Sequence, residues 1–137
     1  MRAAFTFNLV SPISPDKAWA LVGDLAGVTK WVPGVTACDV DGHVRRCTFA
    51  DGRTVVEQIT DFDDAARSYG YRTDTDGTPM AANRGSLAVA ETPDGGSRVT
   101  WLADVDFVSD EAAEQMVPML RSGYGTAFDQ LADQLRR

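Results

Sequence analysis

The sequence predicts an α+β fold in which a curved, seven-stranded antiparallel sheet wraps around one long C-terminal helix, with two short helices between strands 1 and 2. Two observations carry this. From Val35 to Phe107 the chain alternates apolar and polar residues between tight-turn signals, the pattern of strands joined by hairpins. Met116, Leu120, Tyr124, Phe128, Leu131 and Leu135 then recur every three or four residues, which makes an amphipathic helix whose apolar stripe needs a surface to lie on. Only a sheet offers a large enough apolar surface here, and a sheet and helix packed this way readily leave a cavity between the two layers.

Ala3 to Val10 alternates with Phe5, Phe7 and Leu9 on one face, a first strand. Ser14-Pro15-Asp16 opens a helix, with Ser14 or Asp16 as cap and Pro15 in the first turn, and Ala18, Trp19, Leu21, Val22 and Leu25 as its buried side. That helix is expected to stop near Gly23, with a further helical turn over Leu25 to Lys30. Asp41-Gly42 and Asp51-Gly52 are hairpin turns that bound strands at Val35–Val40, His43–Phe49 and Arg53–Phe62. Strands at Arg67–Thr73, Asn83–Glu91 and Arg98–Phe107 follow, the first two separated by a polar loop in which Gly77-Thr78-Pro79 reads as a plain loop or, alternatively, as a lid by the cavity. The last helix begins after Ser109, with Asp110 and Glu111 favourable to its dipole. Pro118 predicts a bend or an irregular first segment, and Gly123 and Gly125 suggest close approach of backbone or ligand.

The 137 residues, with 44% hydrophobic and 24% charged content, suit one domain spanning 1–137. A net charge of −7 argues against nucleic acid as a partner, because a polyanion is repelled over most of the surface. No stretch approaches the ~20 apolar residues of a membrane span, and the alternating N-terminus does not read as a leader, so no stable membrane insertion and a cytoplasmic location are expected. Cys38 and Cys47 could face one another across a hairpin, but two cysteines are not a disulfide framework, and reduced, partly buried thiols are expected. One histidine, His43 beside a turn, and two separated cysteines offer no ligand set for a metal, and no phosphate loop or nucleophile motif occurs. No cofactor is expected, and the chain is expected to act as a monomer or homodimer.

Strand phase selects the candidate site. Trp101 shares its face with Val99, Ala103, Val105 and Phe107 and therefore points toward the helix, either lining a cavity or filling it. Trp31, before Pro33-Gly34, stands at the junction of helices and sheet, as a packing residue or as part of a cavity mouth. Leu87 and Val89 define an inward phase that Gly85 and Asn83 share, so the Asn83 amide must find a partner, either backbone or a ligand oxygen. Tyr69 and Tyr71 share a face and bring hydroxyls, while Arg72 falls on the other. Glu57 is ambiguous, in phase with Val55 and Ile59 but opposed by Val56 and Phe62. Facing inward, it becomes a candidate acid or base through desolvation; facing outward, it is one of many surface carboxylates. On the helix, Phe128, Leu131 and Leu135 are expected to seal the core, and Met116, Leu120 and Tyr124 to border a ligand.

Ser14-Pro15-Asp16-Lys17-Ala18-Trp19, Trp31-Val32-Pro33-Gly34-Val35, the run Val56 to Asp63 with Tyr71, Asn83-Arg84-Gly85 and Arg98-Val99-Thr100-Trp101 together cover nearly the whole chain. In that order the chain resembles the START/Bet v 1-like superfamily, specifically its polyketide cyclase/dehydrase-like branch. The resemblance implies a helix-grip fold with a cavity for a hydrophobic or amphipathic small molecule. Members include aromatase/cyclases and lipid or hormone binders, so it implies no single reaction. The aromatic cyclases are associated with pockets carrying polar and basic groups, whereas the inward phases read here supply Asn83, the tyrosines and, on one register, Glu57, with no inward arginine. Binding of a hydrophobic or aromatic ligand, positioned by Asn83, Tyr71 and Glu57, is therefore the first expectation. A cyclase or dehydratase using Glu57 or Tyr71 for proton transfer is the second, and a filled core without a cavity the third.

Overall fold

The structure, a computed structural model, describes residues Met1–Arg136. Seven antiparallel strands lie in the order β1-β7-β6-β5-β4-β3-β2: β1 Arg2–Ser11, β2 Val35–Asp41, β3 Val44–Phe49, β4 Thr54–Asp63, β5 Ser68–Thr73, β6 Met80–Glu91 and β7 Ser97–Phe107. All but β1 follow sequence order, and β1 pairs with β7 from Arg2 opposite Asp106 to Ser11 opposite Ser97. The two edge strands, β1 and β2, are joined by helix α1 (Pro15–Val22) and a 3₁₀ helix at Leu25–Lys30. Helix α2, Asp110–Gln134, packs against the sheet.

Local chemistry explains the boundaries. Ser14 Oγ accepts from the Lys17 amide at 3.4 Å and Pro15 occupies the first turn, while Ser109 Oγ accepts from the Ala112 amide at 3.1 Å, so each helix begins at a hydroxyl cap. The helix assignment of α2 is unbroken from Asp110, which corrects the expected irregular first segment before Pro118. β6 begins at Met80, three residues earlier than the alternation predicts, because a register shift between Met80 and Ala82 interrupts the pattern there.

The cysteines also require correction. Cys38 and Cys47 sit directly opposite one another on β2 and β3, their α-carbons 4.2 Å apart, and are joined in a disulfide. Facing cross-strand positions bring the two sulfurs together without any backbone movement.

Two apolar clusters divide the interior. The larger gathers Trp19 and Val22 of α1, Leu87, Val89 and Val99 of the sheet, and Phe128, Leu131 and Leu135 at the end of the chain. The smaller joins Phe5, Val105 and Phe107 to Ala112 and Ala113 in the first turns of α2. Between Ala113 and Ala127 no residue of α2 is fully buried. Over that stretch Met116, Val117, Leu120 and Tyr124 pack only partly against the sheet, and the gap left beside them is the cavity.

Candidate functional site

The gap encloses about 730 Å³, well within the range of ordinary ligand pockets, and a filled core is thereby excluded. Its walls are the inner faces of β3 to β7, the 3₁₀ helix with Trp31, and α2 from Met116 to Ala127. Exposed Met119, Asp74, Asp76, Gly77 and Thr78 line it too, which puts the mouth between α2 and the β5–β6 loop. All nine residues singled out from the sequence lie on this one cavity: Trp31, Glu57, Tyr69, Tyr71, Asn83, Trp101, Met116, Leu120 and Tyr124. An added Cβ at Gly123 or Gly125 would meet nothing within 4 Å. The close backbone approach expected at these glycines does not occur; Gly123 faces open cavity.

Aromatic rings form the floor. Trp101 meets Trp31 edge-on at 5.8 Å between centroids and Tyr124 at 5.1 Å, and its Nε1 donates to Tyr71 Oη at 3.0 Å. Tyr71 reaches that position by lying across Gly85, its register partner, where a side chain would collide with the phenol. Burial pushes the Tyr71 hydroxyl well above the ordinary phenol range, reinforced by nearby Tyr124 and opposed by the Trp101 N–H. The Tyr69 and Tyr124 hydroxyls are raised as well, mainly by burial, with Arg45 opposing it at Tyr69 and the Asn83 amide opposing it at Tyr124. All three phenols are neutral hydrogen-bond donors at ordinary pH.

Glu57 faces inward, in phase with Val55 and Ile59. The bulge between Thr60 and Asp63, with Asp61 at φ 51°, explains why Phe62 breaks the pattern. The carboxylate is not an isolated buried charge. Arg45, its register partner on β3, donates from Nε to Oε1 at 3.0 Å and approaches the same oxygen with Nη2 at 2.8 Å; Thr73 Oγ1 donates to Oε2 at 3.0 Å. Arg45 is only 4% exposed and also donates from Nη1 to the Leu25 carbonyl at 3.2 Å and to Tyr69 Oη at 3.4 Å. Burial disfavours its charge, but Tyr69 and Glu57 outweigh that and its pKa is raised.

This inward arginine corrects the expectation of none. A signal for it was present: in Val44-Arg45-Arg46-Cys47, alternation sends one of two adjacent arginines to the inner face. Arg72 and His43 are exposed, as their positions suggested. Two buried polar atoms have no hydrogen-bond partner among the described residues, Trp31 Nε1 and Asn83 Oδ1. The Asn83 amide is inward, as its phase requires, and its Nδ2 makes only a 3.7 Å contact to Met80 Sδ.

Comparison with known proteins follows the same lines. No functionally curated protein matches the sequence. The structure is similar to the protein XoxI from Bacillus cereus, at 23% identity and a TM-score of 0.84 over 97% of this chain and 95% of that one. It is similar to the Zhui aromatase/cyclase from Streptomyces sp. R1128, at 13% identity and 0.81 over 98% and 94%. It is also similar to norcoclaurine synthase from Thalictrum flavum, at 14% identity and 0.75 over 98% and 94%. At these identities the likeness is one of fold, the helix-grip fold. The family model for polyketide cyclase / dehydrase and lipid transport matches residues 2–137, essentially the whole sheet, cavity and helix described above, and the chain belongs to that family, within the START/Bet v 1-like superfamily.

Proposed function

We propose that the protein binds a hydrophobic or aromatic small molecule, lipid- or polyketide-like, between the sheet and α2. The cavity itself carries this reading: about 730 Å³, walled mostly by aromatic and aliphatic side chains, with a few polar groups set among them. Trp31, Tyr69, Trp101, Met116, Leu120 and Tyr124 supply apolar contact, and Asn83, Tyr71 and Glu57 orient the ligand. Native mass spectrometry of the protein as isolated tests it, with a co-purifying small molecule of defined mass expected. A protein that carries none and binds no hydrophobic probe would overturn the reading.

The buried Arg45–Glu57 pair favours a second reading, a cyclase, aromatase or dehydratase acting on a poly-β-ketone-like chain. It brings to the cavity the basic group that cyclase pockets are associated with. Here Glu57 would accept a proton from the carbon acid and Tyr71 would donate to a carbonyl oxygen, with most of the acceleration coming from the folded conformation the walls impose. Turnover of the co-purifying molecule, absent in Glu57→Gln, separates this from simple binding; a ligand returned unchanged favours binding alone. No helix among the described residues is long and apolar enough to cross a membrane. The Cys38–Cys47 disulfide speaks against the cytoplasmic location expected from sequence, since such bonds persist mainly in oxidising compartments.

A further inference from the structure

We infer that Tyr71, Asn83 and Tyr124 form a site for a neutral hydroxyl group, so that the ligand's buried end is an alcohol, phenol or enol. The inference rests on the cavity being a ligand site and names what that site selects. Three facts converge on it. Tyr71 Oη already accepts from Trp101 Nε1, which leaves its own proton without an acceptor among the described residues. Tyr124 packs on the same Trp101 ring and lines the same cavity as Asn83, and its hydroxyl has no hydrogen-bond partner within 3.5 Å among the described residues. Asn83 Oδ1 is buried and unpaired.

Two spare donors alone would take any oxygen, including a ketone or an ether. The unpaired acceptor narrows the choice, because only a group that also donates satisfies Asn83 Oδ1. The orientation of the amide follows from its other neighbour: a thioether accepts but cannot donate, so Nδ2 faces Met80 and Oδ1 is the free end. Oδ1 is buried, and the 3.7 Å contact from Nδ2 to Met80 Sδ is a weak restraint on turning the amide toward a ligand hydroxyl. A ligand hydroxyl relieves an unpaired buried acceptor, which an isosteric ether cannot do.

The test is a matched pair of probes, naphthol and its methyl ether, titrated against the intact protein by quenching of tryptophan fluorescence. Naphthol is expected to bind about tenfold more tightly than the ether. Asn83→Leu should bring that ratio to about one. Both probes binding to the wild type within about twofold of one another would overturn the hydroxyl site and leave the cavity reading intact. Failure of both probes to bind would remove the cavity reading and the hydroxyl site with it. Because the wild-type ratio decides the matter, the inference does not depend on Asn83→Leu folding, and Tyr124→Phe gives an independent check by weakening both probes together.

Discussion

Arg45 and Glu57 stand opposite one another on β3 and β4, and the guanidinium holds the carboxylate from two nitrogens, at 3.0 and 2.8 Å. Arg45 is almost wholly buried and also donates from Nη1 to the Leu25 carbonyl and Tyr69 Oη, so the pair ties the 3₁₀ helix, β3, β4 and β5 together.

Breaking this pair from one side should be more damaging than removing it. Glu57→Leu leaves a buried cation uncompensated and is expected to cost about 3–5 kcal/mol, measured by urea unfolding. Adding Arg45→Met in the same chain should recover most of the loss. A single-variant cost below about 1 kcal/mol would mean that the pair is far more solvated than its burial indicates.

Two glycines with opposite surroundings should respond in opposite directions to alanine. At Gly85 the new methyl meets the Tyr71 phenol and the Leu102 carbonyl oxygen at 2.6 Å, so Gly85→Ala is expected to destabilise by about 1–3 kcal/mol and to displace Tyr71 from Trp101. At Gly123 nothing lies within 4 Å and the backbone is helical, so Gly123→Ala should stabilise by about 0.5–1 kcal/mol. Thermal unfolding of the two variants side by side reads both signs.

Legibility of these features in the sequence followed the strength of the periodic signal. The seven strands and α2 were readable because alternation and three-to-four spacing each ran for many residues, and Asn83, Tyr71 and Trp101 followed from strand phase alone. Arg45 was missed because a charged residue defaults to the outer face, and only the fact that two arginines stand side by side argues otherwise. Glu57 was ambiguous because the bulge before Asp63 shifts the phase of Phe62, and single-residue bulges leave little trace in composition. The Asp41-Gly42 hairpin made the facing of Cys38 and Cys47 legible, but not their oxidation, because two cysteines alone do not declare their redox state.

Cys38 and Cys47 should be unreactive to thiol reagents in the native protein and should yield two thiols per chain after reduction. Reduction is expected to lower stability by about 2–4 kcal/mol, because a closed loop restricts the unfolded chain. Two titratable thiols in the unreduced protein, with no change in melting temperature on adding reductant, would contradict the bond.

The last prediction concerns alkaline pH and uses the fact that the chain has only three tyrosines, all on the cavity and all with raised pKa. In the folded protein these phenols stay protonated above the ordinary value near 10, whereas in the unfolded chain they ionise there. The sign follows by linkage. Folded-state values above the unfolded ones make the contribution complete below about pH 10, and it declines as pH rises past that value toward the raised folded ones. Spectrophotometric titration should therefore show almost no phenolate in the native protein at a pH where free tyrosine is half ionised. The full three-tyrosine signal should then appear together with loss of the near-ultraviolet circular dichroism of the packed tryptophans. Tyr124, on α2 and less buried than the other two, is expected to ionise first, and Tyr124→Phe should remove the earliest part of the curve. A gradual, reversible titration of all three groups centred near pH 10 with the fold intact would show that the cavity admits water freely to every phenol.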